Sequence, residues 1–173
     1  MNSDMPPLPM PDSFEPSAET TRAFRDALGR FATGITVITC SSPRGPLGIT
    51  ANSFASVSLD PALVLWSPAK TSKRFEAFTQ AKHFAIHIMS SEQSGICGGF
   101  AGNGHAFDGY DWHACDKGVP LISHCLSRFE CTQEAIHDAG DHAIIVGRVT
   151  RVNTQAGKPL MFYSGQYGNF KAE

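Results

Sequence analysis

Residues 48–78 read GITANSFASVSLDPALVLWSPAKTSKRFEAF. The run opens with small hydroxyl and amide side chains: Thr50, Asn52, Ser53, Ser56 and Ser58. It turns at Asp60-Pro61 and continues as the apolar, β-prone run Ala62–Ser67. A strand, a turn and a second, buried strand fit that order. Thr71–Gln80 then reads as a short helix with Phe75 and Phe78 inward.

Working outward, the same texture dominates. Upstream, Ile35–Ser41 is β-branched and reaches Leu47–Ala51 through the Ser42-Pro43-Arg44-Gly45-Pro46 turn, which makes a hairpin. Downstream, His83–Ser90 alternates as a strand, with Phe84, Ile86 and Ile88 on one face and His83, Ala85 and His87 on the other. Ser91–Gly118 reads as irregular and Gly-rich, with one short helix near Gln93–Phe100. Ser123–Ile136 and Ala143–Thr154 are two more strands. Pro159–Phe170 reads as a strand leading into a loop. Many strands at short spacing, with helices only at the edges, predict a mainly β barrel. No GxGxxG follows a strand, so a doubly wound nucleotide fold is not indicated.

One helix precedes the strands, over Ser17–Phe31. Ser17 suits its cap and Glu19 its first turn. Phe24, Ala27, Leu28 and Phe31 make one apolar face. Residues 1–16, with Pro6, Pro7, Pro9, Pro11 and Pro16, read as a flexible tail ahead of a single domain over 17–173.

The chain has 173 residues, 42% hydrophobic and 17% charged, with a formal charge of −2. There is no block of Lys and Arg, so neither nucleic acid nor an anionic membrane is an expected partner. No signal peptide and no membrane span are read, and the five cysteines form no CxxC. Reduced thiols in a cytoplasmic protein are expected, with no metal site. His83 and His87 share a strand face but lack nearby ligand partners.

Five segments are candidates for chemistry, the first two taken together. Thr33-Gly34-Ile35-Thr36 and Thr50–Ser58 carry small polar side chains. Thr50, Asn52, Ser56 and Ser58 share a parity in an extended chain. Such a face leaves room for a flat polar heterocycle, or is simply the solvent side of a sheet. Lys70, Thr71 and Ser72, at the start of the predicted helix, suit a phosphate, since a helix N-terminus offers free N–H groups and partial positive charge. They equally suit an ordinary cap. Asp138-Ala139-Gly140-Asp141-His142 is a turn whose His142 opens the next strand. Pro159–Gly168 brings Tyr163 and Tyr167 beside glycines, as a wall for a planar ligand or a packing surface. No nucleophile has an identifiable base, which suits an enzyme whose cofactor supplies the electronics.

RFATGITVIT (30–39), the 48–78 run, Gly140-Asp141-His142 and PLMFYSGQYG (159–168) occur in one order. On these residues the chain resembles the flavin reductase-like family with the FMN-binding split barrel, which includes the reductase components of two-component flavin monooxygenases. Pro61-Ala62 departs from the family's usual Pro-Pro. The resemblance implies a Greek-key split β-barrel with peripheral α-helices, assembled as a homodimer with flavin near the interface. It implies FMN or FAD as cofactor and NADH or NADPH as hydride donor.

By position, Thr33, Gly34, Ile35 and Thr36 would lie near the flavin ring. Thr50, Ala51, Asn52, Ser53, Ser56, Val57 and Ser58 would hold its polar edge. Lys70, Thr71 and Ser72 would hold the phosphate, and His142, Tyr163 and Tyr167 would contact the nicotinamide cofactor. The implied acceptor is a partner monooxygenase that takes reduced flavin, or a cob(II)yrinic acid-type corrinoid. A non-catalytic flavin-binding module is the alternative from another class. A cofactor-free oligonucleotide- or sugar-binding barrel is disfavoured by the low basic content.

Overall fold

In a computed structural model, residues 13–172 are described. Of the expected tail, residues 1–12 lie outside the described residues; 13–16 are exposed and without regular structure. The elements in order are α1 (Thr21–Leu28), β1 (Thr33–Gly34), β2 (Thr36–Ser42), β3 (Gly45–Ala51), β4 (Ala55–Leu59), β5 (Ala62–Trp66), α2 (Phe75–Gln80) and β6 (His83–Ile88). A 3-10 turn at Ser91–Gln93 leads into α3 (Ser94–Gly102). Then follow β7 (Trp112–Ala114), β8 (Pro120–Ile122), β9 (Ser127–Ala139), β10 (His142–Thr154), β11 (Leu160–Tyr163) and β12 (Gln166–Asn169).

Seven strands form one antiparallel sheet in the order β3-β2-β6-β9-β10-β5-β4. Its two edges, β3 and β4, are consecutive in the chain and joined by residues 52–54 alone. Four Cα steps span at most about 14 Å. A flat sheet of this width would hold its edges about 29 Å apart, six strand spacings. The sheet therefore rolls on itself until its edges approach, and among the described strands no ladder joins them. The result is the mainly β split barrel with peripheral helices that the family resemblance implies.

The barrel interior takes one face of each strand: Ile38, Cys40, Leu47, Val64, Trp66, Phe84, Ile86, Cys131 and Ile145. From α2, Phe78 joins this cluster, its ring 5.0 Å from Trp66 at 82°. Alternate residues of β2 point outward into a second cluster, where Val37 meets Met89, Cys97, Phe100, Phe107, Ile122 and Leu160. Both faces of β2 and β6 are thus covered. This buries His87 completely, and it satisfies its ring through Val37 O (2.8 Å) and the Ile122 N–H (3.0 Å). Most of these outward contacts come from 97–125; the expected irregular stretch Ser91–Gly118 holds α3, close to the helix expected near Gln93–Phe100, and also β7, which pairs with β8.

Several expected elements change extent. The second helix begins at Phe75, not Thr71. Residues 69–74 instead fold as consecutive turns, with Ser72 N–H on Ala69 O, Phe75 N–H on Ser72 O and Arg74 N–H on the Ser72 hydroxyl. Ala62–Ser67 is not buried throughout: Val64 and Trp66 point inward, while Leu63 and Leu65 are half-buried, because β5 lies next to the sheet edge. The strand expected over Ser123–Ile136 is β9, Ser127–Ala139. Pro159–Phe170 folds as the hairpin β11–β12, whose turn places Ser164 at φ 47° and Gly165 at φ 81°. The first helix is shorter than expected, and Thr20, not Ser17, precedes it. Its apolar face exists, but among the described residues nothing covers it: Phe24, Leu28 and Phe31 are exposed.

Candidate functional site

Three of the predicted segments meet through main-chain contacts. The Ser53 hydroxyl accepts the Ser67 N–H at 3.0 Å and bonds Ser67 O at 3.3 Å, which ties the β3–β4 connection to the loop after β5. That loop is tied in turn to the β9–β10 turn. Lys70 N–H donates to Asp141 O at 2.9 Å, Ala143 N–H donates to Pro68 O at 3.1 Å, and Ala69 bridges to His142. Ala139 pairs with His142, which leaves Gly140-Asp141 as a two-residue turn. Gly140, at φ 67°, fills its first position, where a II′ turn needs positive φ. Asn52–Ser58, Lys70–Ser72 and His142 therefore share one frame.

Thr33 and Gly34 sit in a second, smaller frame. They pair with Phe162 and Met161 of β11, so the Thr33–Thr36 segment lies beside the C-terminal hairpin. Thr36 pairs with Ala51 and its hydroxyl donates to Ala51 O at 2.7 Å, which sets this segment against the start of the β3–β4 connection. The hairpin does not bring Tyr163 and Tyr167 onto one face. Tyr167 faces Phe162 across the ladder, and Tyr163, the next residue, points to the other side.

Not every predicted side chain is open. Ile35 and Thr36 are buried. The Thr50 hydroxyl donates to Cys97 O at 2.7 Å and anchors α3. The shared face expected for Thr50, Asn52, Ser56 and Ser58 is not continuous. The chain leaves one sheet edge at Ala51 and joins the other at Ala55, and a bulge between Ser56 and Ser58 interrupts the alternation again. What β4 does offer is its outer edge: it is the last strand of the sheet, so alternate N–H and C=O groups there lack a ladder partner.

The electrostatics of the frame centre on Lys70. Its ammonium lies 2.6 Å from Asp138, and Asp141 lies 2.8 Å from the His142 ring. Lys70 holds the Asp138 carboxyl below the usual carboxylate range, and the His142 ring does the same for Asp141. The expected helix N-terminus is absent at Lys70–Ser72, because the helix starts three residues later. Burial pushes the Cys40, Cys97 and Cys131 thiols up to about 12, so these three stay protonated.

Arg74 was not singled out in the sequence. Its guanidinium donates to Gly48 O (3.1 Å), Phe100 O (2.6 Å) and Ala101 O (3.1 Å), which pins the 69–74 loop to β3 and the end of α3. Burial lowers its pKa. Asp138 was equally silent: the turn that contains it is legible, but its reach to Lys70, 68 residues away in the chain, is not.

Two features fit a planar, polar ligand. The Thr33 hydroxyl is buried without a hydrogen-bond partner, an expensive state unless something else supplies one. Next to it, nothing lies within 4 Å of where a Cβ on Gly34 would stand, so the backbone there is approachable. Hollows of about 550 Å³, between His113–Lys117 and Thr150–Asn153, and about 930 Å³, near Gln155–Lys158, lie elsewhere.

Comparison with known proteins identifies the family. The model of the "Flavin reductase like domain" family matches residues 28–171. The chain is 54% identical to "FMN reductase (NADH) SmoA" of Agrobacterium fabrum over 166 residues, 96% of this chain and 95% of that one. It is 45% identical over 148 residues to the reductase component of the flavin-dependent trigonelline monooxygenase of Acinetobacter baylyi, covering 84% of this chain but only 48% of the relative, so it spans about half that protein's length. Among solved structures, the Streptomyces globisporus NADH:FAD oxidoreductase SgcE6, in complex with NAD and FAD fragments, superimposes with a TM-score of 0.82 at 32% identity, covering 91% of this chain and 98% of that one. A single antiparallel barrel, a loop–turn frame at its open edge and these similarities lead to one assignment: the chain belongs to the flavin reductase like domain family.

Proposed function

We propose that this protein is an NADH-dependent flavin reductase that works on FMN and passes reduced flavin to a partner monooxygenase. The observation that carries the reading is the frame in which Ser53, Ser67, Lys70 and Asp141 bind one another. It brings a polar strand edge, a cationic turn and a histidine to one face, and the relative at 54% identity is named for FMN and NADH.

Each part of the frame has a task in this reading. Lys70, Thr71 and Ser72 bind the flavin phosphate, with two hydroxyls and an ammonium as donors. Ala51, Asn52, Ser53 and Ser56–Ser58 present main-chain groups to the polar edge of the ring. Thr33 and Gly34 form a close wall, where the Thr33 hydroxyl finds its missing partner. His142 orients the nicotinamide together with one of the two tyrosines, Tyr163 or Tyr167, since these point to opposite faces of the hairpin. The bound flavin supplies the hydride-accepting ring, so the protein's contribution is placement and exclusion of water.

Phe24, Leu28 and Phe31 are exposed, and so are Tyr163 and Tyr167 of the hairpin that pairs with Thr33 and Gly34, which supports a homodimer in which a second copy closes the site. The monooxygenase acceptor is supported by the Acinetobacter relative's name, whereas no feature of the frame favours a corrinoid. Anaerobic mixing of the protein and FMN with NADH tests the reading. Flavin colour should bleach at a rate that saturates with NADH. Bleaching no faster than with NADH and free FMN alone would refute it.

A further inference from the structure

We propose that Asp138 competes with the flavin phosphate for Lys70, and so makes the flavin a ligand that leaves readily instead of a fixed prosthetic group. This rests on the reading of Lys70 as a phosphate ligand. The Asp138 carboxylate lies 2.6 Å from the Lys70 ammonium. It arrives from the β9–β10 turn, which the backbone bond from Lys70 N–H to Asp141 O holds beside the loop, so the pairing follows from the fold.

The charges around Lys70 do not suit tight phosphate binding. A dianionic phosphate approaching this loop meets one ammonium and two carboxylates, Asp138 on Lys70 and Asp141 on the His142 ring. No helix dipole offsets them, since Lys70 lies five residues before a helix of 6 residues. Among the nearby cations, Arg74 is committed to three carbonyls, whereas Lys73 and Arg44 line one hollow with Glu76 and another that Ser72 borders, and neither forms an ion pair with Asp138.

The ion pair itself is of the exchangeable kind. Lys70 is 37% exposed and Asp138 78%, so water screens their attraction and the pair opens at little cost. An ammonium has three donors, and a phosphate can share or displace the carboxylate. Asp138 therefore weakens the phosphate grip without abolishing it. A reductase that hands reduced flavin to another protein needs that balance, because a tightly held phosphate would slow release.

Titration of the full chain with FMN and with riboflavin, which has the same ring and no phosphate, tests the proposal. Asp138→Asn removes the charge and keeps the shape. It should tighten FMN roughly three- to tenfold, slow FMN dissociation in proportion and leave riboflavin unchanged. The gain should shrink at high salt, disappear in a Lys70→Ala background and be absent in Asp138→Glu. If Lys70→Ala loosens FMN but not riboflavin, while Asp138→Asn leaves FMN affinity within about twofold, the competitor role is overturned and the phosphate site stands. Equal tightening of FMN and riboflavin by Asp138→Asn also overturns it, since the effect would then lie in the turn's structure. If Lys70→Ala affects FMN and riboflavin alike, the phosphate reading falls and this proposal with it.

Discussion

Thr33 carries a buried hydroxyl that finds no hydrogen-bond partner among the described residues. A buried, unpaired hydroxyl costs about 1–3 kcal/mol, and replacing it with a methyl removes that cost. Thr33→Val should therefore leave thermal stability unchanged or raise it, while FMN affinity falls; a loss of stability would show that the hydroxyl already has a structural partner. His87 makes a different prediction, about pH. Burial depresses its pKa to about 4, so the folded protein keeps the ring neutral, with one nitrogen donating to Val37 O and the other accepting from Ile122 N–H. The unfolded chain takes up that proton near its ordinary value of 6.5. Stability from this group is therefore complete above about pH 6.5 and is lost as pH falls toward 4, on the order of 3 kcal/mol in all. Urea midpoints measured between about pH 7 and pH 5 should fall, and the slope should flatten in His87→Gln.

The 69–74 loop is the element on which the site depends, and Arg74 is what fixes its shape. Arg74→Ala leaves the carbonyls of Gly48, Phe100 and Ala101 without their donor. A loss of about 1–3 kcal/mol is expected in denaturant unfolding, against less than about 0.5 kcal/mol for the neighbouring Lys73→Ala. Weaker FMN binding should accompany the first and not the second. The loop also shows where sequence legibility ends. The strands on either side are written in β-branched residues and turn dipeptides, and they fold within a few residues of where those signals stand. The loop is not, because Lys70-Thr71-Ser72 reads equally as the first turn of a helix. What decides against the helix is the Ser72 hydroxyl, which takes the Arg74 N–H, and the pull of Arg74 toward carbonyls far away in the chain. Thr50 fails for the same reason: its parity is visible locally, but its partner, Cys97 O, is 47 residues away.

At the scale of the molecule, several exposed apolar residues gather near the chain's two ends, apart from Val57, Leu59, Ile136 and Val152 on the barrel strands. Phe24, Leu28 and Phe31 on and after α1, and Tyr163, Tyr167 and Phe170 around β11–β12, are all exposed, and Ser164 N–H donates to Gly29 O to hold the two elements together. A patch of this kind marks an interaction surface. The proposed homodimer should sediment as two chains, and Phe24→Glu with Phe31→Glu should shift it to one chain while near-native circular dichroism persists; a monomeric parent would remove this part of the account. The periodic face of α1 was readable from spacing alone. That no described residue covers it was not, because periodicity names a face and not its partner. The barrel was readable in the same limited way: strand number and spacing are local properties, whereas the meeting of β3 and β4 as opposite edges of one rolled sheet depends on six ladders at once.

The account turns on whether this face holds a flavin. Fluorescence titration of the purified chain with FMN and FAD measures that directly. Saturable quenching at micromolar concentrations is predicted, with FMN bound at least as well as FAD. Unchanged flavin fluorescence with both, from folded protein, would contradict the account.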